Sequence, residues 1–151
     1  RKSSPAAALD ASNILPSLVA GNRDEAIRTL CARTGAGLDP QALAVAVLKR
    51  EELMGTALGY GVAVPHARMA EIATPRLGFA RAPAGIEWNA PDGLPVRFVF
   101  LLLTPASEDE SQLHLLRAIA TIMNCSQNRD LLLNAPDSEI VSRLIDMFGE
   151  R

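Results

Sequence analysis

The sequence predicts a single α/β domain in which one mixed β-sheet is covered by helices. Three observations carry that prediction. Helix signals come first, strand signals fill the middle, and helix signals return at the end. The run Val96–Leu103 is almost wholly apolar, as a strand buried on both faces would be. The length, 151 residues, suits one domain with no need of staples, since a chain of that size buries roughly 70% of its unfolded surface.

The elements follow in order. Residues 1–8, with Ser3, Ser4 and Pro5 and no period, read as a leader or linker, and 9–151 as the domain. Asn13–Leu18 reads as a short first strand or an edge segment. Asn22 or Asp24 caps a helix to about Ala32, which Gly35 and Gly37 end. Asp39–Pro40 pairs an N-cap with proline at the first helical position and starts a second helix, to about Leu53. Gly59 and Gly61 punctuate the chain before a strand-like Val62–Val64, which Pro65 stops. Arg76–Ala82 and Val96–Leu103 are strands, with a turn at Pro91–Gly93. Ser107 and Glu110 fit a capping box for a third helix through about Asn124. Asp130–Asn134 is a short helical turn, and Asp137–Met147 the closing helix.

Composition narrows the function. A net charge of -2 and the lack of a basic run with interleaved aromatics argue against nucleic acid. No apolar stretch approaches the ~20 residues of a membrane span, so no membrane insertion is expected. Cys31 and Cys125 lack metal-ligand spacing. They read either as reduced thiols of a cytoplasmic protein, the favoured reading, or as a disulfide. Two histidines and two scattered cysteines make a zinc site improbable, and no metal is expected. There is no GxxxxGK[ST] phosphate loop, no third glycine for a dinucleotide fingerprint and no G-x-S-x-G elbow.

Three residues stand out. His66 follows Gly59-Tyr60-Gly61-Val62-Ala63-Val64-Pro65, at the end of a strand on a rigid turn. An ordinary imidazole, with a pKa near ~6.5, is largely a neutral nucleophile at neutral pH. Taken alone, the Pro-His pair reads as structural. Arg50, near the end of the second helix, reads as a cation favoured by the helix C-terminus or as a phosphate partner. His114, early in the third helix, reads as a half-buried helix histidine or as a group beside an anion at a helix N-terminus. Glu108, Asp109 and Glu110 would repel an anion there unless they face water.

Taken together, the residues resemble a family. Arg50-Glu51 followed by Gly59-x-Gly61-Val62-Ala63-Val64-Pro65-His66 is similar to the active-site signature of fructose/mannitol-type and nitrogen-regulatory IIA domains of the sugar phosphotransferase system. Asp92-Gly93-x-Pro95-Val96-x-Phe98-Val99-Phe100-Leu101-Leu102-Leu103 resembles that family's central strand and preceding turn. His114 with Leu113 and Leu116 resembles its second histidine segment. One departure is Ala67-Arg68, where the family usually has glycine after the histidine.

The resemblance implies a mixed sheet flanked by helices on both faces. It implies phosphorylation of His66, with His114 and Arg50 as its active-site neighbours, and no cofactor. It implies HPr or a nitrogen-type HPr as donor, and a IIB domain or a regulated target protein as acceptor. A transport component, a regulator and an inert interaction module that keeps the fold are the three readings. Intact His66, Arg50 and His114 argue against the last.

Overall fold

The computed structural model describes residues 5–149. Of the expected leader, residues 1–4 lie outside the described part. Pro5–Ala8 form a helical turn, α1, with Pro5 and Ala8 buried. Residues 150 and 151, at the end of the expected domain, also lie outside it.

One six-stranded sheet is built from β1 (Leu9–Leu15), β2 (Ala57–Gly59), β3 (Val62–Ala63), β4 (His66–Met69), β5 (Arg76–Ile86) and β6 (Val96–Pro105). β6 is the centre. It pairs antiparallel with β5 on one side, and parallel with β3 and then β4 on the other. β1 runs parallel to β5, and β2 hangs antiparallel on β3. The sheet is therefore mixed.

Helices cover both faces, and alternation along β6 decides which residue meets which layer. Val99, Leu101 and Leu103 pack with α2 (Arg23–Thr34) and α3 (Pro40–Leu53). Phe98, Phe100 and Leu102 pack with α4 (Asp109–Met123), α5 (Ser126–Asn134) and α6 (Ile140–Gly149). With helices on both sides, β6 has no face left for polar residues, which explains its unbroken apolar run.

Two caps act as expected. The Asn22 side chain accepts from Glu25 N–H at 2.8 Å, and Asp39 accepts from Gln41 N–H at 3.0 Å. The box expected from Ser107 and Glu110 does not form. α4 starts at Asp109, and Glu108, the residue before it, accepts from the Ser111 hydroxyl at 2.7 Å. The first strand lies earlier than expected, α5 is longer, and a 3-10 turn (Asp137–Glu139) precedes α6.

Pro65 does not end the strand run. It interrupts it. β3 stops at Ala63, the chain steps through Val64-Pro65, and pairing with β6 resumes at His66 opposite Leu102. Proline has no N–H to give to a ladder, but its carbonyl still accepts from Leu102 N–H at 3.0 Å. His66 thus opens a new strand instead of closing an old one.

Among the described residues no helix is long and apolar enough to cross a membrane. Cys31 and Cys125 are both free thiols. Burial pushes the Cys31 thiol up to about 12.

Candidate functional site

The site lies where β4 meets the end of α3 and the start of α4. Three local structures hold it. First, Gly59, Tyr60 and Gly61 all have positive φ (98°, 57° and 80°), a tight turn that glycine makes cheap at two of its three positions. Asp92 fastens the turn by accepting from Tyr60 N–H at 2.8 Å, and the Gly61 carbonyl accepts from Arg97 and Phe98 N–H. Second, Glu51 is 2% exposed and accepts three hydrogen bonds: Thr56 N–H at 2.7 Å, the Thr56 hydroxyl at 2.7 Å and the Trp88 indole at 3.0 Å. A buried carboxylate needs such donors, and these lock the end of α3 against the strand that leads to the histidine. Third, Met69, at the end of β4, accepts from Ala106 N–H and so ties β4 to the approach of α4.

His66 is 6% exposed. Its Nδ1 lies 2.9 Å from the Val64 carbonyl oxygen. A carbonyl only accepts, so Nδ1 carries the proton and Nε2 keeps the lone pair. The imidazole is held below its usual pKa, first by burial. The Val64 bond opposes this, Arg50 adds to it, Glu51 opposes and Arg68 adds. The ring is therefore neutral at neutral pH, with one free nitrogen lone pair: the state of a nucleophile.

Two clefts border that ring. One, of about 380 Å3, is lined by Arg50, His66, Arg68 and Gln112 with three alanines. The other, of about 310 Å3, is lined among others by Arg50, Thr56, Val64, His66, Leu116 and Arg117. Arg50 and His66 share both. Arg50 gives one donor to the Met54 carbonyl at 2.9 Å and remains partly exposed. Arg68, on the exposed side of β4, pairs with Asp109. A wider cavity of about 460 Å3 runs past Leu58, Tyr60 and Met123; it adjoins the second cleft but holds no histidine or cysteine.

The acidic residues expected to oppose an anion are partly tied up. Asp109 neutralises Arg68, and Glu108 turns to Ser111.

The structure brings together two of the three residues singled out by sequence. His66 and Arg50 meet at the clefts, whereas His114 lines neither. The reason is helical geometry. Ser111, Leu115, Ile119 and Met123 are the buried residues of α4. At about 100° per residue, Gln112 and Leu116 flank that stripe on one side and His114 on the other. These two clefts lie on the Gln112 side of the helix. Glu51, Arg68 and Gln112 were not singled out as site residues. For Glu51 a signal existed, its place beside Arg50 in an otherwise apolar helix stripe.

Among the described residues no group of three or more histidine, cysteine, aspartate or glutamate side chains is placed to hold a metal ion. Lone-pair nitrogen, guanidinium and amide at one cleft make a site that accepts an electrophile and steadies an anion.

Comparison with known proteins agrees on one family. Residues 7–147 match the model described as phosphoenolpyruvate-dependent sugar phosphotransferase system, EIIA 2. A nitrogen regulatory protein of Pseudomonas aeruginosa is 34% identical over 121 residues, 80% of this chain and 79% of the relative. The fructose-specific EIIA component of the phosphotransferase system of Haloferax volcanii is 32% identical over 107 residues, 71% of this chain and 70% of the relative. The crystal structure of nitrogen regulatory protein IIA-Ntr from Neisseria meningitidis superposes with a TM-score of 0.85 at 26% identity, covering 92% of this chain and 97% of that one.

Proposed function

This chain belongs to the EIIA 2 family of the phosphoenolpyruvate-dependent sugar phosphotransferase system, and on that premise we propose that it is a phosphohistidine carrier whose acceptor atom is Nε2 of His66. The observation that carries the reading is the tautomer. The Val64 carbonyl holds the proton on Nδ1 and leaves Nε2 as the nucleophile.

The donor is HPr or a nitrogen-type HPr bearing a phosphohistidine. Nε2 of His66 attacks the phosphorus in line as the donor's N–P bond breaks. The donor ring, protonated on its other nitrogen, takes that bond's electrons and leaves as neutral imidazole. The His66 ring becomes a phosphorylated imidazolium, with its proton still on Nδ1. The Val64 carbonyl then faces a ring that has gained positive charge, so its hydrogen bond strengthens as the step proceeds. Breaking and forming bonds are alike, so the step is nearly balanced and runs either way. Arg50 offers a permanent charge and a planar set of donors to the phosphoryl oxygens.

The acceptor is a IIB domain or a regulated target protein. The likeness to the nitrogen regulatory proteins favours a regulatory output, in which the phosphorylation of His66 alters binding to a target. The likeness to the fructose-specific component favours onward transfer.

Incubation with phosphorylated HPr and nitrogen-type HPr tests the carrier reading. One of the two donors should place an acid-labile, alkali-stable label on this chain. His66→Ala should stay folded and take up none. Equal labelling of that variant would overturn the assignment.

A further inference from the structure

We infer that Arg68 is a phosphoryl-binding residue that changes ion-pair partners: Asp109 holds it while His66 is bare, and the phosphoryl group takes it once His66 is phosphorylated. The inference rests on the carrier reading above. Strand geometry puts Arg68 in place. Ala67 and Met69 turn into the core beneath α2 and α3, so the alternation of β4 sets His66 and Arg68 side by side on its other face. Two residues along a strand span roughly 7 Å, a gap that a guanidinium on its long stem bridges. Both side chains line the cleft of about 380 Å3 that Arg50 also lines. The ring already feels the charge: after burial and Arg50, Arg68 helps to hold the imidazole below its usual pKa.

The present partner holds Arg68 weakly. Asp109 is the first residue of α4, its side chain is 81% exposed, and it pairs with an arginine whose own side chain is 44% exposed. A solvated pair of that kind is favoured by about fivefold at most. A phosphoryl group on His66 competes better. It brings close to two negative charges and three acceptor oxygens, and the planar fork of an arginine meets two of those oxygens at once. Asp109 loses little on release. Its side chain turns to water, and the positive end of α4 still favours it there. Phosphorylation therefore changes what the start of α4 displays, from a neutral pair to a free carboxylate. That is a difference in surface charge that a target protein can read.

The test is the partition of label between the donor protein and this chain at equilibrium, with single-turnover rates and thermal unfolding on the same samples. The equilibrium reads what holds the group on the free chain, whereas docking of the donor alters only the rate. Arg68→Gln should lower the partition constant about tenfold, the worth of one charge-assisted hydrogen bond. Its unfolding should stay near that of the parent, since the pair it breaks is solvated. Asp109→Asn should raise the constant about two- to fivefold, because the guanidinium no longer has to leave a partner. Made on top of Arg68→Gln, the same Asp109→Asn change should move the constant by less than about twofold, the effect of one exposed charge on another. Arg68→Lys keeps the charge, loses the fork and should lower the constant by a smaller factor; it stands in for the glutamine variant should that one melt early. A parent-like constant in Arg68→Gln, or in Arg68→Lys where it stands in, would overturn the inference and leave the carrier reading standing, even beside a slowed rate. So would an equal effect of Asp109→Asn with and without Arg68. Absence of any label on His66 in the parent chain would overturn both.

Discussion

Two arginines teach opposite lessons in the same small domain. Arg81, on β5, is 4% exposed and spends its donors on the protein itself. Its Nε donates to the Pro16 carbonyl at 2.8 Å, and one terminal nitrogen to the Leu132 carbonyl at 2.8 Å and to the Leu133 and Ala135 carbonyls. The other terminal nitrogen meets Asp137. Arg50 gives a single donor to its own helix end and lines an open cleft beside a neutral histidine. A guanidinium whose donors are used up is a clamp. One with donors to spare, facing a cleft, is a place for an anion. Charge alone does not separate the two. What the remaining donors face does.

The largest expected effect breaks the clamp. Arg81→Met keeps the apolar stem but strips donors from the carbonyls where the end of α5 meets the 3-10 turn. Each buried carbonyl left without a partner costs ~1–3 kcal/mol, so the loss of stability should be roughly 3 kcal/mol or more. Denaturant unfolding reads it. The rate of phosphoryl acceptance per folded molecule should stay at the parent value; a slowed rate in protein that is still folded would mean that the clamp also shapes the site.

A smaller effect, on rate instead of stability, comes from the other arginine. Arg50→Lys keeps the charge and loses the planar donors. Acceptance from the phosphorylated donor should slow about tenfold, the worth of one charge-assisted hydrogen bond of ~1.5 kcal/mol. Unfolding should shift by less than ~1 kcal/mol, since the bond to Met54 is partly solvated. A variant that melts early and transfers at the parent rate would make Arg50 a helix cap like any other.

The smallest effect is in pH. His66 is held below the usual histidine pKa, chiefly by burial. The unfolded chain therefore binds the proton more readily, and stability falls as pH drops below ~6.5 toward the lowered value in the fold. His66→Gln should remove that part of the acid slope, whereas Arg81→Met should leave it, because arginine does not titrate there. An NMR titration of the imidazole should place its midpoint below ~6.5. A midpoint above that would mean that the Val64 bond and Glu51 outweigh burial, and that the free domain is a poorer nucleophile at neutral pH than described above.

Much of this arrangement is legible in the sequence. Asn22 and Asp39 cap because their side chains reach N–H groups two or three residues on, an interaction local enough to read from spacing. The central strand is legible because nothing except burial on both faces tolerates Phe98 to Leu103. The pair Arg50 and His66 is legible only through its likeness to a family, since sixteen residues and a turn separate them in the chain. Pro65 was misleading for a local reason. Proline ends most strands, but here β6 takes up pairing again at His66 and carries the chain past the break.

What the sequence by itself determined is therefore the set of elements, the apolar stripe of each and the chemistry available: one histidine after a glycine-bounded turn, and cations enough for an anion. Even the inward face of α4 is written there, in Leu115, Ile119 and Met123. The stripe says which residues point in, and leaves Gln112 on one flank and His114 on the other. Which flank lines the two clefts beside His66 was decided by tertiary structure alone, because it depends on the side of β6 along which β4 pairs and on where the end of α3 comes to rest. Those are long-range pairings, and no periodicity within one helix contains them.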